Sequence, residues 1–281
     1  MFPTAIEKTS ALTRTAYKTA LPIVVLLWLL PLFAVALTSL RSIDDLNKGN
    51  FWGWPTSINF AQNYGEVFTR SPMAMFLMNS VIITLFAVAG TLVLSCMAGY
   101  ALAKYNFRGN LVLFSIFIAG NFVPFQILMI PVRTIMIDWI PLYDTVWALV
   151  LFHTAFQTGF CTLFMRNFIK QMPDALIEAA RMDGAKGWNL LWHIILPQLR
   201  PATFIAVVVS VVGALRSFDL VSIMTLGGPY NSSTVLAYAM YEQTFLNFRY
   251  GYGAAIATIL FIIMDVYIAF FLYSMLKREQ R

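Results

Sequence analysis

Between residues 71 and 103 the chain carries no charged side chain at all. A helix crossing the roughly 30 Å hydrocarbon core of a bilayer needs about 20 apolar residues, and a soluble core helix rarely runs so far without a cap or a charge. Five more stretches have the same character, giving six predicted spans at 20–39, 72–100, 111–132, 145–165, 201–223 and 252–276. Charged residues make up only 11% of the 281 positions, against about 25% in an ordinary soluble domain. The expectation is an all-α membrane protein with one transmembrane domain over 1–281, each span satisfying its backbone hydrogen bonds internally.

Lys and Arg set the expected orientation. Lys8, Arg14, Lys18, Lys104, Arg108, Arg166, Lys170, Arg181, Lys186, Arg200, Lys277, Arg278 and Arg281 fall on one side, 13 of the 19 basic residues. That side, holding both termini and the 166–200 loop, is expected to be cytoplasmic. The first 37 residues have the basic start and apolar core of a signal peptide, but the apolar stretch is long and no clear small-residue cleavage site follows, so it reads as a retained first helix. No basic cluster is dense enough for nucleic acid, and lipid is the expected surrounding. Cys96 and Cys161 lie inside spans and read as packing residues. His153 and His193 form no metal-ligand cluster, and no H-E-x-x-H or G-x-S-x-G occurs.

The water-exposed segments are unequal. Residues 41–71 form an outer loop whose Trp52 and Trp54 suit a membrane–water interface. The last outer loop, 224–251, opens on Gly227, Gly228, Pro229 and Tyr230, a strong turn signal. On the other side, Pro173 suits the first position of a helix and Asp174 complements its positive end. Good helix formers follow to Asp183, and Gly184 can stop the helix in a left-handed cap. A second helix restarts near Trp188 and runs to Pro197, with Trp188, Leu191, Trp192 and Ile195 on one face. Isolated helices below about 12–15 residues are marginal in water, so the first of the two needs support from its own chain or from a partner. Ala179 and Ala180 leave little bulk, and Glu178 and Arg181 could orient a contact. By these residues alone, a solvated connector and a docking helix remain equally open.

The stretch "EAARMDGAKGWNLLWHIILP" matches E-A-A-x3-G-x9-I-x-L-P through Glu178, Ala179, Ala180, Gly184, Ile194, Leu196 and Pro197. It resembles the cytoplasmic motif of permease subunits of bacterial ATP-binding-cassette importers. With six spans, "LGGPYNSST" and "NFVPFQILMIPV", the chain is similar to the smaller, maltose-type permease of carbohydrate importers. That resemblance implies that Glu178, Ala179, Ala180, Asp183 and Gly184 form a coupling helix between spans four and five, seated on an ATPase subunit. It implies as partners a second, non-identical permease, two ATP-binding-cassette ATPases and a periplasmic or extracellular solute-binding protein. ATP and magnesium would be bound by those ATPases. This chain has no G-x-x-x-x-G-K-[ST] loop and is expected to be non-catalytic. The resemblance also implies that the Gly227–Tyr230 loop reaches the binding protein; a plain turn between spans is the alternative.

Polar groups inside spans are costly unless they face protein or water, so they mark candidate pathways. Asn79, Asn121, Gln126, Arg216 and Asp219 are the expected translocation path, with Ser80, His153 and Gln157 also available. Arg216 has two readings: an ion pair with Asp219 or Asp265, or a receptor for a carboxylate, sulfonate or phosphate. Small residues Gly90, Ala98, Gly99, Gly120 and Gly159 are expected to allow close helix packing. The cargo remains open between a sugar and another solute such as a polyol, glycerophosphodiester or polyamine. An ATP-independent transporter or channel is the alternative to the importer.

Overall fold

The computed structural model describes residues 10–69, 72–185 and 187–279; Lys8, Lys186 and Arg281 of the orientation argument lie outside them. Among the described residues the chain is helical, with one isolated bridge between Arg41 and Ile58. Among these residues four helices are long and apolar enough to cross a membrane, and up to six spans result if two sharply bent helix pairs each count as one.

Helix α1, Ala11–Ser39, starts at Ser10, whose hydroxyl accepts from the Thr13 amide at 3.3 Å. It begins well before the expected residue 20 and lies against the last helix of the chain. Beyond it, the 41–71 segment is more than a loop. It forms α2, Ile43–Asn47, and α3, Phe60–Thr69. Arg41 is fully buried, and its guanidinium donates to the carbonyls of Asn50 and Gly53. Asp45 accepts from the Thr56 hydroxyl at 2.6 Å and the Thr56 amide at 2.8 Å. These bonds brace a turn that presents Trp52 and Trp54 at 71% and 78% exposure.

The frame of the molecule is α4, Met73–Lys104, packed along α7, Val146–Gln171. Glycines set how closely they approach. A Cβ on Gly99 would lie 2.7 Å from Met165 Cβ and 3.0 Å from the Arg166 nitrogen, and one on Gly90 would lie 2.9 Å from Thr154 Cγ2. Gly159 meets Asn121 and the Phe117 carbonyl in the same way. Gly120 does not belong with them: no atom comes within 4 Å of its Cβ position, so it packs against nothing.

The expected third span is not one rod. It splits into α5, Asn110–Gly120, and α6, Phe125–Asp138, bent by 98°. Pro124 supplies no N–H and forces the residue before it out of the helical region, so the helix cannot run through Asn121–Pro124. Pro131, by contrast, is accommodated inside α6.

After α7, α8 spans Asp174–Met182, followed by the short α9, Trp188–Leu190, a π turn at Leu191–Ile195 and α10, Leu196–Gln198. The chain bends by 72° into α11, Arg200–Leu215, turning at Leu199 rather than at Pro197. The expected fifth span is also interrupted: Arg216 and Ser217 separate α11 from α12, Phe218–Met224. The 224–251 segment contributes α13, Leu236–Tyr241, whose Leu236, Ala237, Tyr238 and Ala239 are buried, and a π turn at Glu242–Leu246. The last helix, α14, is Tyr250–Glu279. Arg249 pairs with Glu66 and sits 4.4 Å above the Tyr252 ring, fastening α3 to the start of α14.

Two outcomes are expected. Gly99→Val should separate α4 from α7 and destabilise the fold by about 1–3 kcal/mol, the usual effect of overpacking; thermal unfolding in detergent should show it, with Gly120→Val nearly neutral. The two Thr56 hydrogen bonds hold the Asp45 carboxyl below the ordinary carboxylate range. A group depressed in the folded state stabilises above its unfolded value, about 3.9, and loses that contribution as pH falls through the lower folded value. Indole fluorescence of Trp52 and Trp54 should therefore change only below about pH 4 in the wild type and at higher pH in Thr56→Val.

Candidate functional site

The two helix interruptions face one cavity of about 370 Å³. From the first come Asn121, Phe125 and Met129; from the second come Gly213, Arg216, Ser217, Asp219 and Leu220. The third wall is α7, whose His153, Phe156, Gln157 and Phe160 stand on one face at helical i, i+3, i+4 and i+7 spacing. Because Thr154 touches Gly90 midway along α4, the cavity lies near the middle of that helix. Non-helical backbone at such a depth is tolerated only where protein or a water-filled cavity surrounds it.

The inner wall carries a directed hydrogen-bond chain. Gln157 Nε2 lies 3.2 Å from His153 Nδ1, and His153 Nε2 lies 2.5 Å from Ser217 Oγ. Ser217 Oγ donates to the Ala214 carbonyl at 2.5 Å, at the end of α11, where the Ser217 amide also donates to it at 3.3 Å. One imidazole tautomer, with its hydrogen on Nε2 and a bare Nδ1, satisfies all three links. The amide oxygen Oε1 of Gln157 is buried with no partner among the described residues.

Arg216 is the C-cap of α11, not a residue within a helix. Among the described residues its side chain forms no hydrogen bond or ion pair, so the expected pairing with Asp219 or Asp265 is absent here. Asp219 Oδ2 instead accepts from Gln126 Nε2 at 3.1 Å, tying α12 to α6. Asp265 is exposed on α14. Asn121, Arg216 and Asp219 thus meet at the cavity, and Gln126, outside its lining, reaches it only through Asp219. Asn79 does not join them. It is buried, and its Nδ2 donates to the Thr234 carbonyl at 2.9 Å and the Asn231 carbonyl at 3.5 Å. Its role is to anchor the turn that follows α12.

That turn is tightly built. Gly227 has φ +77°, and a Cβ there would come 2.4 Å from Thr234 Oγ1. Ser233 Oγ, fully buried, bonds Thr225 Oγ1 at 2.8 Å and the Gly228 carbonyl at 2.8 Å. Tyr230 and Asn231 are held at φ 50° and 64°, a left-handed conformation that tyrosine seldom adopts. The result lifts the Tyr230 side chain to full exposure.

The opposite end of α4 holds α8. Asn79 and Lys104 are 25 positions apart on one uninterrupted helix, about 38 Å at 1.5 Å per residue. Lys104 Nζ donates to the Met172 carbonyl at 3.0 Å and pairs with Asp174 at 2.6 Å, fixing the first turn of α8. Arg166 donates to the Leu102 carbonyl at 3.3 Å and stacks 3.8 Å over Phe114. On α8, Ile177 and Ala180 are buried against Met172, Leu190 and Ile195. Ala180 therefore faces its own chain and not outward with Ala179, as their adjacency suggested. Glu178, Ala179, Asp183 and Gly184 are exposed, flanked by Leu176 and by Met182 at 85% exposure. Gly184 ends the helix at φ +91°.

The reading of polar positions missed Ser217 and Gly213 and the wall of Phe125, Phe152, Phe156 and Phe160. The available signal was the α7 face, where polar and aromatic residues alternate along a helical stripe in a span otherwise apolar.

Comparison with known proteins agrees with this architecture. Residues 91–281 match the family described as binding-protein-dependent transport system inner membrane component. A probable ABC transporter permease protein of Pyrococcus horikoshii is 39% identical over 44% of this chain, and the match spans 42% of that relative's length. The sulfoquinovosyl glycerol transport system permease protein SmoH of Agrobacterium fabrum is 30% identical over 68% of this chain and 67% of its own. In a bacterial ABC transporter involved in import of the acidic polysaccharide alginate, one chain shares the fold with TM-score 0.76 at 21% identity, over 99% of each chain.

If the cavity is wet, a cysteine placed in it should react. With Cys96 and Cys161 replaced, Gly213→Cys is expected to label with a small thiol reagent at least about tenfold faster than Ala148→Cys in the packed core, because reaction requires an accessible thiolate. Mass spectrometry of the intact chain gives the rates.

Proposed function

Because this chain belongs to the family of binding-protein-dependent transport system inner membrane components, we propose that it is one permease subunit of an ATP-driven importer for a carbohydrate or carbohydrate derivative. It works by alternating access beside a second, non-identical permease, and a solute-binding protein delivers the cargo. Two ATPase subunits bind ATP and magnesium and do the hydrolysis; this chain is the transported solute's passage. In this reading the two bent pairs each make one span, giving six, and the termini and α8 are cytoplasmic in a bacterial inner membrane.

The observation that carries the proposal is α8. A nine-residue helix is too short to persist alone. Here one face is packed on the chain's own core through Ile177 and Ala180, and the Lys104–Asp174 pair fixes its start. The other face, Glu178, Ala179 and Asp183, is bare and bordered by Leu176 and Met182. A helix held rigidly from behind and exposing a mixed face of acids, a small Ala179 and two apolar flanks suits a socket on an ATPase, with Glu178 orienting the contact and Gly184 turning the chain away. At the other end of α4, the exposed Tyr230 on its braced turn suits contact with the binding protein. Carbohydrate cargo is supported by the names of the Agrobacterium relative and the alginate importer, and by a cavity that combines hydrogen-bonding groups with phenyl faces.

Paired variants of the two neighbouring alanines test the proposal. Ala179→Trp should leave the chain folded and inserted but block ATPase association, reducing ATP-dependent uptake in proteoliposomes by at least about tenfold, which corresponds to about 1.4 kcal/mol. Ala180→Trp should instead disrupt the chain's own packing and lower its yield and thermal stability. Copurification of the ATPase with Ala179→Trp at wild-type level, with undiminished uptake, would remove the basis for the docking assignment.

A further inference from the structure

The cavity is asymmetric in its electrostatics. Arg216 is exposed at its wall and has no acceptor among the described residues. Asp219, on the same wall, is half-buried and already accepts from Gln126. A cation would meet a carboxylate partly satisfied by an amide and a guanidinium repelling it. An anion would meet a planar fork of five N–H donors with nothing bound to it. Charged side chains at membrane depth are expensive and ordinarily find a partner in the protein. The chain has an acidic residue three positions on, Asp219, and does not use it for this purpose.

The remaining surface suits a polyhydroxylated body. Gln157 Oε1 is a buried acceptor that the protein leaves unfilled, and the free oxygen of Asp219 is a second. Both suit hydroxyl donors. Phe125 and Phe156, whose rings pack 5.7 Å apart, offer apolar faces for the C–H side of a sugar ring. A volume of about 370 Å³ falls within the usual 300–1,000 Å³ of small-molecule sites.

We propose that this cavity receives a sugar carrying one anionic oxyacid group, a carboxylate, sulfonate or phosphate, and that Arg216 is the residue that binds that group. The inference rests on the permease reading and names the class of cargo for it. Charge-assisted, bidentate contact makes Arg216 the discriminator between acidic and neutral sugars, while Asp219 and Gln157 read hydroxyls.

The test uses the full transporter, with its ATPases and binding protein, in proteoliposomes. Uptake of radiolabelled glucuronate, 6-deoxy-6-sulfoglucose, glucose 6-phosphate and glucose is measured for the wild type, Arg216→Gln and Arg216→Lys. The expected result is uptake of at least one of the three anions in preference to glucose. Arg216→Gln should lower it by about tenfold to a hundredfold, and Arg216→Lys should restore part of it, since lysine keeps the charge without the fork. Which of the three anions is carried identifies the group. Comparable yield and melting temperature for both variants establish that folding is intact; should Arg216→Gln fail that check, the comparison of wild type with Arg216→Lys across the four sugars decides instead. Uptake of glucose alone, uptake of none of the four, or anion uptake indifferent to position 216 overturns the inference. A complex with no ATP-linked activity of any kind would instead be a failure of the permease reading, a separate result.

Discussion

A helix that stops inside an apolar layer leaves backbone amides and carbonyls without their intrahelical partners, and no water is at hand to replace them. Among the described residues two such stops, at Asn121–Pro124 and at Arg216–Ser217, are brought by the fold to the same place. Much else follows from that placement. Ser217 turns its hydroxyl onto the Ala214 carbonyl, His153 and Gln157 extend the chain of bonds across α7, and Gln126 reaches over to Asp219. The cavity exists because the interruptions need polar company, and the same company gives it a recognisable chemistry.

The frame around the cavity was legible from the residues, and the interruptions only half so. The charge-free run at 71–103 fixes α4 almost to its ends, while the apolar run at 145–165 fixes the start of α7 but stops six residues short of its end, where Arg166 and Lys170 continue the helix. The first break could be read because proline removes a donor and constrains its predecessor. The second could not. Residues 201–223 have no proline after Pro201, and the polar patch Arg216, Ser217 and Asp219 does not by itself distinguish a helix that ends at Leu215 from one that continues with those side chains facing a cavity. Tertiary context decides there, through the bonds Ser217 and Asp219 find on α7 and α6.

The site shows the same division. Composition could put Asn79 inside a span but could not distinguish a path residue from a structural anchor; only the approach of Thr234, more than 150 positions away, settles that. Ala179 and Ala180 are the same residue type side by side, and their opposite roles depend on the phase of a short helix set by Ile177 and Lys104. Gly99 and Gly120 are similarly indistinguishable on paper, one pressed against a neighbouring backbone and the other facing open space. Where a residue's meaning came from its own covalent nature, as with Gly184 at its positive φ, the sequence sufficed.

Helix α4 has no proline and no break over 32 residues, a stiff rod of about 48 Å. Its two ends are fastened to different surfaces, by Lys104 to the start of α8 and by Asn79 to the turn bearing Tyr230. A strut of this kind can swing or slide, but it cannot shorten or fold. Any displacement imposed on α8 must therefore be conveyed to the far face of the membrane or snap one of two small polar latches, so news of events at either surface reaches the other as bodily movement.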